Sequence, residues 1–189
     1  MTHHVDSLLL DANCLLNLYA TGRLREIAVV LPYQFWVAGY VAEREVLYIL
    51  RPGATDAGDE KERVDLSSLL EEGLIQLMRL EGPAEEASFV DLAADLDEGE
   101  AITGALALHR DCAVATDDRK ACRVLGQLIP PITLASTLEL LKLWAETVQI
   151  PNGELGMVMA EMQSSASYFP GVSDPLYEWW GSLVCRSGS

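Results

Sequence analysis

Positive charge is scarce in this chain. Thirteen Lys and Arg stand against 29 Asp and Glu, for a formal net charge of -16. A protein so acidic cannot bind nucleic acid through a broad basic surface, because phosphate contact relies on Lys and Arg. Three explanations of the acidity compete: solubility, a basic protein partner, or acids gathered around a cation. Long apolar runs are missing as well; none approaches the ~20 residues of a membrane span, so no membrane partner is expected. Met1 to Asp6 has neither the basic start nor the apolar core of a signal peptide, so export is not expected. The four cysteines (Cys14, Cys112, Cys122, Cys185) show neither a C-x-x-C pair nor a metal-binding spacing. They read as reduced thiols of a cytoplasmic protein. Internal repeats and low-complexity segments are also absent.

What is present is an alternation of strands and helices. Ser7-Leu8-Leu9-Leu10 runs straight into Asp11-Ala12-Asn13, and such a short apolar run predicts a strand buried on both faces of a parallel sheet. Further strands are expected at Gln34 to Ala38, Leu74 to Leu80, Ala113 to Thr116 and Ile132 to Leu134. Helices are expected over Ala12 to Tyr19, Arg23 to Leu31, Val41 to Arg51, Asp65 to Glu72, Ala84 to Leu96, Ala101 to His109, and from Asp118 through Leu128. The helix Ser136 to Ile150 opens on a capping box, Ser136 with Glu139. Ala54 to Glu62, polar and glycine-containing, is the best candidate for a mobile loop. This order predicts an α/β fold with a parallel sheet of about five strands over residues 1–150. Residues 151–189 form a helical extension, with a Met-rich helix from Glu154 to Gln163 and a short last helix bearing Trp179 and Trp180.

The carboxylates carry the chemistry. Each has an ordinary explanation, since an acid at a helix start caps free N–H groups and complements the dipole. Asp97 and Glu100 even form a capping box by spacing. Their shared location argues for more. Asp11 and Asp117-Asp118 follow two different apolar strands and so lie at one edge of the sheet, where α/β proteins bind ligands. Glu43 and Glu45 lie early in the helix after the second strand, and Glu100 lies in the first turn of the helix before the fourth. Several carboxylates meeting at one place repel one another unless a cation sits among them. Oxygen ligands without His or Cys suit Mg²⁺ or Mn²⁺. Asn13 and Thr116 are positioned to orient such a site by hydrogen bonds. Arg119, Lys120 and Arg123, with Arg44 and Arg110, are the basic residues nearest the acids and are candidates for phosphate contact.

Leu8 to Asn13, Val41 to Glu45, Asp97 to Ala101 and Ala115 to Arg119 together resemble the PIN-domain nucleases, a family that includes the toxins of VapBC-type toxin–antitoxin pairs. The resemblance covers roughly residues 6–145. It implies a three-layer α/β/α fold and Mg²⁺- or Mn²⁺-dependent cleavage of RNA, with an antitoxin protein as partner in the toxin forms. It carries metal-binding acids onto Asp11, Glu100 and Asp118, with Asp117 beside the last. The second acid falls on Glu45 by spacing from Val41, with Glu43 the close alternative.

Two rival readings remain at this stage. One is a PIN-fold interaction module, without turnover, acting through a protein partner. The other is a phosphoacceptor receiver domain, ranked last because Thr133-Leu134-Ala135 stands where its lysine belongs. His109 suits a helix end by its polarity. His3 and His4 read as a disordered terminus. Met157, Met159 and Met162 suit packing or a groove for a partner helix. Trp179-Trp180 is open to core packing, a homodimer contact or base stacking, core packing being favoured.

Overall fold

In the computed structural model, the described residues are 6–45, 47–51 and 60–184. The expectations placed on His3, His4, Cys185 and the 54–59 part of the loop lie outside them. The chain forms two compact units, interleaved along the sequence. The first comprises Met1–Leu15, Pro32–Val46 and Leu66–Ser136; the second comprises Leu16–Leu31, Leu47–Asp65 and Thr137–Ser189. The break expected at residue 150 falls inside the second unit, between two of its helices.

The first unit holds the sheet. Its strands are β1 (Ser7–Leu10), β2 (Gln34–Ala38), β5 (Ile75–Met78), β6 (Ala113–Ala115) and β7 (Leu134–Ala135), in the order β5-β2-β1-β6-β7. Every neighbouring pair is parallel. The fold class is therefore α/β with a five-stranded parallel sheet, compatible with three layers. β1 is central and its three leucines are at most 1% exposed, which is why its sequence carries no polar alternation. Helix α3 (Gly39–Arg44) follows β2 and α5 (Pro83–Leu92) follows β5. Helix α6 (Glu98–Arg110) lies across β2, β1 and β6 and packs on α5. Its small residues Ala101, Gly104, Ala105 and Ala107 are all buried, so the helix can approach the sheet closely. Helix α7 (Arg119–Gly126) follows β6 and buries Ala121 and Leu125. Helix α4 (Ser67–Glu71) packs on β5.

Residues Val41 to Arg51 do not form one helix. α3 begins two residues earlier and ends at Arg44, with Glu45 in extended backbone at its C-terminal cap. Tyr48–Arg51 is instead strand β3, which pairs antiparallel with β4 (Glu60–Arg63). The apolar spacing suits a helix, but Tyr48-Ile49-Leu50 has the aromatic and branched character that favours strands, and β4 supplies the partner. That partner was unreadable because Glu60-Lys61-Glu62-Arg63 has no apolar alternation. The hairpin belongs to the second unit. There Arg51 pairs with Glu62 at 2.9 Å and with Glu161 at 2.7 Å.

The second unit also contains α2 (Leu24–Val30), packed on α8 (Thr137–Val148), and α9 (Asn152–Ala166), packed on β3 and on α10 (Tyr177–Val184). α9 buries Leu155, Val158, Met159 and Met162 while Met157 stays exposed. Helix α1 (Ala12–Ala20) continues from the first unit into the second. No helix among the described residues is long and apolar enough to cross a membrane.

Candidate functional site

The strand order reverses about β1: the chain places β2 on one side of it and β6 on the other. The crevice outside the C-terminal ends of β1 and β6 is where such sheets bind ligands. Asp11 leaves β1 there and Thr116 to Asp118 leave β6. The two are joined across the strands, because Asp11 N donates to Ala115 O at 3.0 Å.

Asp11 is 3% exposed. Its Oδ1 accepts from Ala12 N at 2.8 Å and its Oδ2 accepts from the Thr116 hydroxyl at 3.1 Å. Thr116 Oγ1 also accepts from Asp118 N at 3.2 Å, so one hydroxyl ties the ends of both strands together. Asp118 caps α7: its Oδ1 accepts from Lys120 N at 2.7 Å and Ala121 N at 2.8 Å. The capping explanation is thus correct for Asp118, and its Oδ2 has no hydrogen-bond donor among the described residues. Asp97 and Glu100 form the expected capping box, with Glu100 N donating to Asp97 Oδ1 at 2.8 Å and Asp97 N to Glu100 Oε2 at 3.2 Å.

Glu100 nevertheless lies within the electrostatic reach of Asp11 and Asp118. A helix preceding a parallel strand runs back along the sheet, so α6 starts at the C-terminal edge. Burial, and then the charges of Asp97, Asp118 and Asp11, raise the Glu100 carboxyl above its ordinary range. Burial also raises Glu45, with Asp97, Glu100 and Glu98 adding to the effect. Asp11 is pushed up to about 6, first by burial, against its two hydrogen bonds, with Asp97 and Glu45 adding repulsion. Six carboxylates from four segments therefore share one field: Asp11, Glu45, Asp97 with Glu98 and Glu100, and Asp118.

The structure separates the two candidates for the second acid. Glu43 is exposed and held by Arg79, whose guanidinium donates to both its oxygens and draws its pKa down. Glu45 turns inward over Gly99, so close that a Cβ on Gly99 would collide with its carboxylate. Asp117 is half-buried beside Asp118, and it is Asp118 that raises Glu100. Asn13 is exposed and makes no hydrogen bond to Asp11 among the described residues; that carboxylate is oriented by the Thr116 hydroxyl and by Ala12 N. His109 is bonded to Ser88 at 2.8 Å, a structural contact at the far end of α6.

Two participants escaped sequence reasoning. Tyr40 donates from its hydroxyl to Glu98 at 2.5 Å, and nothing in the pattern marked it. Gly99 seats Glu45. A glycine inside the first turn of an otherwise strong helix costs about 1 kcal/mol relative to alanine, and that anomaly was a legible signal that something packs there.

An all-oxygen donor set with raised proton affinity suits a hard divalent cation in its chemistry. As they stand, no three Asp, Glu, His or Cys side chains among the described residues converge tightly enough to form a ligand set. Binding would have to draw Glu45 and Glu100 toward Asp11 and Asp118. No family model, curated protein or solved structure matches the chain.

Proposed function

We propose that the chain is a PIN-like nuclease that hydrolyses RNA phosphodiester bonds with Mg²⁺ or Mn²⁺, and that it is the toxin of a toxin–antitoxin pair. The observation that carries the reading is Asp11: a carboxylate buried at the switch point, in one field with Glu45 and Glu100, while Asp118 acts on Glu100. Asp11, Glu100 and Asp118 would hold the cation, with Glu45 completing the set. A cation held there would supply water activation and charge neutralisation at the phosphate. Thr116 fixes Asp11 by donating to it. Glu45, whose proton affinity is raised, is suited to accept a proton from an attacking water. Asp97 and Glu98 hold the edge negative, so that phosphate approaches only a neutralised site.

The test is cleavage of RNA with Mn²⁺. The wild-type chain should cut, chelation should stop it, and Asp11→Asn should lower the rate by at least about 100-fold, the scale on which even groups behind metal ligands matter. Cleavage indifferent to both changes refutes the reading.

The interaction-module reading draws support from one observation. Asp11 and Asp118 are engaged in local hydrogen bonds and no ligand set is pre-formed. Absence of turnover, with tight capture of a single basic protein, would favour it.

A further inference from the structure

We propose that the first unit binds a small organic cation, an ammonium group on a compact apolar body, outside the N-terminal ends of β6 and β7. A cavity of about 250 Å³ lies there, between the C-terminal end of α6 and the segment that feeds β7. Leu108, Pro130, Pro131 and Ile132 give it apolar walls, and Asp111 and Thr133 add polar side chains. α6 has 13 residues, so at 1.5 Å per residue its two ends are about 20 Å apart. The cavity and the acidic edge are therefore separate places, and the inference stands apart from the nuclease reading.

Asp111 is the anomaly that points to a cation. It caps α6 with φ 51 and ψ 45, left-handed backbone that glycine or asparagine usually supplies there. It also sets a negative charge at the negative end of the helix dipole, where a cation is favoured. A residue that breaks two local rules at once calls for a functional cause. The basic residues of the last turn do not repair it. Arg110 is committed to Glu85 and Glu81, and His109 is tied through Nε2 to Ser88. Residues 124–141 contain neither Lys nor Arg, so the facing wall brings no positive charge. Asp111 forms no ion pair with any described residue. Asp111 N and Cys112 N both donate to Ala107 O. The carbonyls of Leu108 and His109 therefore accept no hydrogen bond among the described residues, and the cavity is rich in acceptors.

That chemistry selects the ligand. An anion is repelled. A hard metal ion needs several oxygen ligands, and Asp111 is the one carboxylate in the lining. A cavity of about 150 Å³ already holds benzene, so this one has room for a ring and an ammonium arm. It falls just below the ~300 Å³ at which drug-sized sites begin, which keeps the ligand small. The ammonium donates to Asp111 and to the free carbonyls of α6, a charge-assisted contact. The apolar body packs on Leu108, Ile132 and the two prolines.

Binding is measured by ¹H–¹⁵N NMR of the labelled full chain, titrated with benzylammonium at neutral pH and low salt. The amides of residues 108–112, Ile132 and Thr133 should shift saturably, with half-saturation at about 1 mM, within reach of so small a ligand. Benzyl alcohol, the neutral counterpart, should bind at least about tenfold more weakly, and benzoate should not bind. Asp111→Asn removes the charge and keeps a residue that accepts left-handed backbone; it too should weaken binding at least about tenfold. Thr133→Phe, at an exposed position, should fill the cavity and abolish binding. Glu178→Gln, an equal charge change in the second unit, should not alter it. Nα-acetyl-lysine methylamide should bind at least about tenfold more weakly than benzylammonium. Equal binding of the two would make the occupant a lysine side chain of another protein and overturn the proposal. No saturable shift in the wild-type chain, shifts centred elsewhere, equal binding of the alcohol, or an unchanged half-saturation in Asp111→Asn also overturns it. Should Asp111→Asn fail to fold, the amine against the alcohol on the wild-type chain decides alone.

Discussion

At the scale of single residues, Asp11 is held in a place that penalises its charge. Its carboxyl is raised from 3.8 to about 6, so folding favours the protonated form. The stabilisation is complete below about pH 4 and is lost as pH rises through about 6, leaving the ionised chain destabilised by about 3 kcal/mol. Asp11→Asn should therefore unfold at higher denaturant than wild type at pH 7.5 and at nearly the same denaturant at pH 4. A variant no more stable at pH 7.5 would contradict the burial argument. Bound Mn²⁺ should narrow the gap by stabilising only the wild-type chain, by about 2.7 kcal/mol at a hundred times its dissociation constant.

Gly99→Ala separates function from stability. The added methyl meets the far end of the flexible Glu45 side chain, which can swing away at little cost. Alanine is also the better helix former, by about 1 kcal/mol. Stability should stay within about 1 kcal/mol of wild type, while RNA cleavage falls roughly tenfold to a hundredfold as Glu45 is displaced. Retained cleavage would remove Glu45 from the site.

At the scale of elements, α6 makes the site and the core share one helix. Its N-terminal turn presents Glu100, and one turn later Gly104 lies against Leu125 and Leu92, which a Cβ would meet at 2.6 and 3.0 Å. Those are packed apolar side chains with nowhere to go. Gly104→Ala should thus cost about 1–3 kcal/mol by overpacking, despite the same gain in helix propensity as Gly99→Ala. Denaturant melts of the two variants should move apart; parallel behaviour would show that α6 packs less tightly than the geometry says.

Strands β1, β2 and β6 were readable from sequence almost to the residue, because doubly buried strands must be continuous apolar runs. The β3–β4 hairpin was not, because β4 is wholly charged and owes its pairing to Tyr48–Arg51. The same misreading left Glu43 and Glu45 undecided. Both sat in one imagined helix, and the choice turned on α3 ending at Arg44. The site was legible as a set of strand-end acids. The Asp11–Thr116 pairing and the seat at Gly99 depend on how separate segments meet, which spacing along one segment does not encode.

At the scale of the molecule, the two units are built from alternating stretches of chain. Residues after Ile150 are not an optional addition to a finished domain, because α9 covers β3 and packs on α10 within the second unit. A chain ended at Ile150 should bind the dye ANS strongly and lose cooperative melting, since Leu155, Val158, Met159 and Met162 would no longer cover their apolar neighbours. A sharp melt without dye binding would show that the second unit does not need α9 and α10.

The hydroxyl of Thr116 reaches back 105 residues to meet Asp11. Translation proceeds at about 5–20 residues per second, so Asp11 waits roughly 5–20 seconds after its own synthesis for that partner. A nascent chain cannot possess the acidic edge until β6 has left the ribosome, however early its first carboxylate appears. If RNA is what that edge destroys, the delay spares the message and ribosome that are still making the protein.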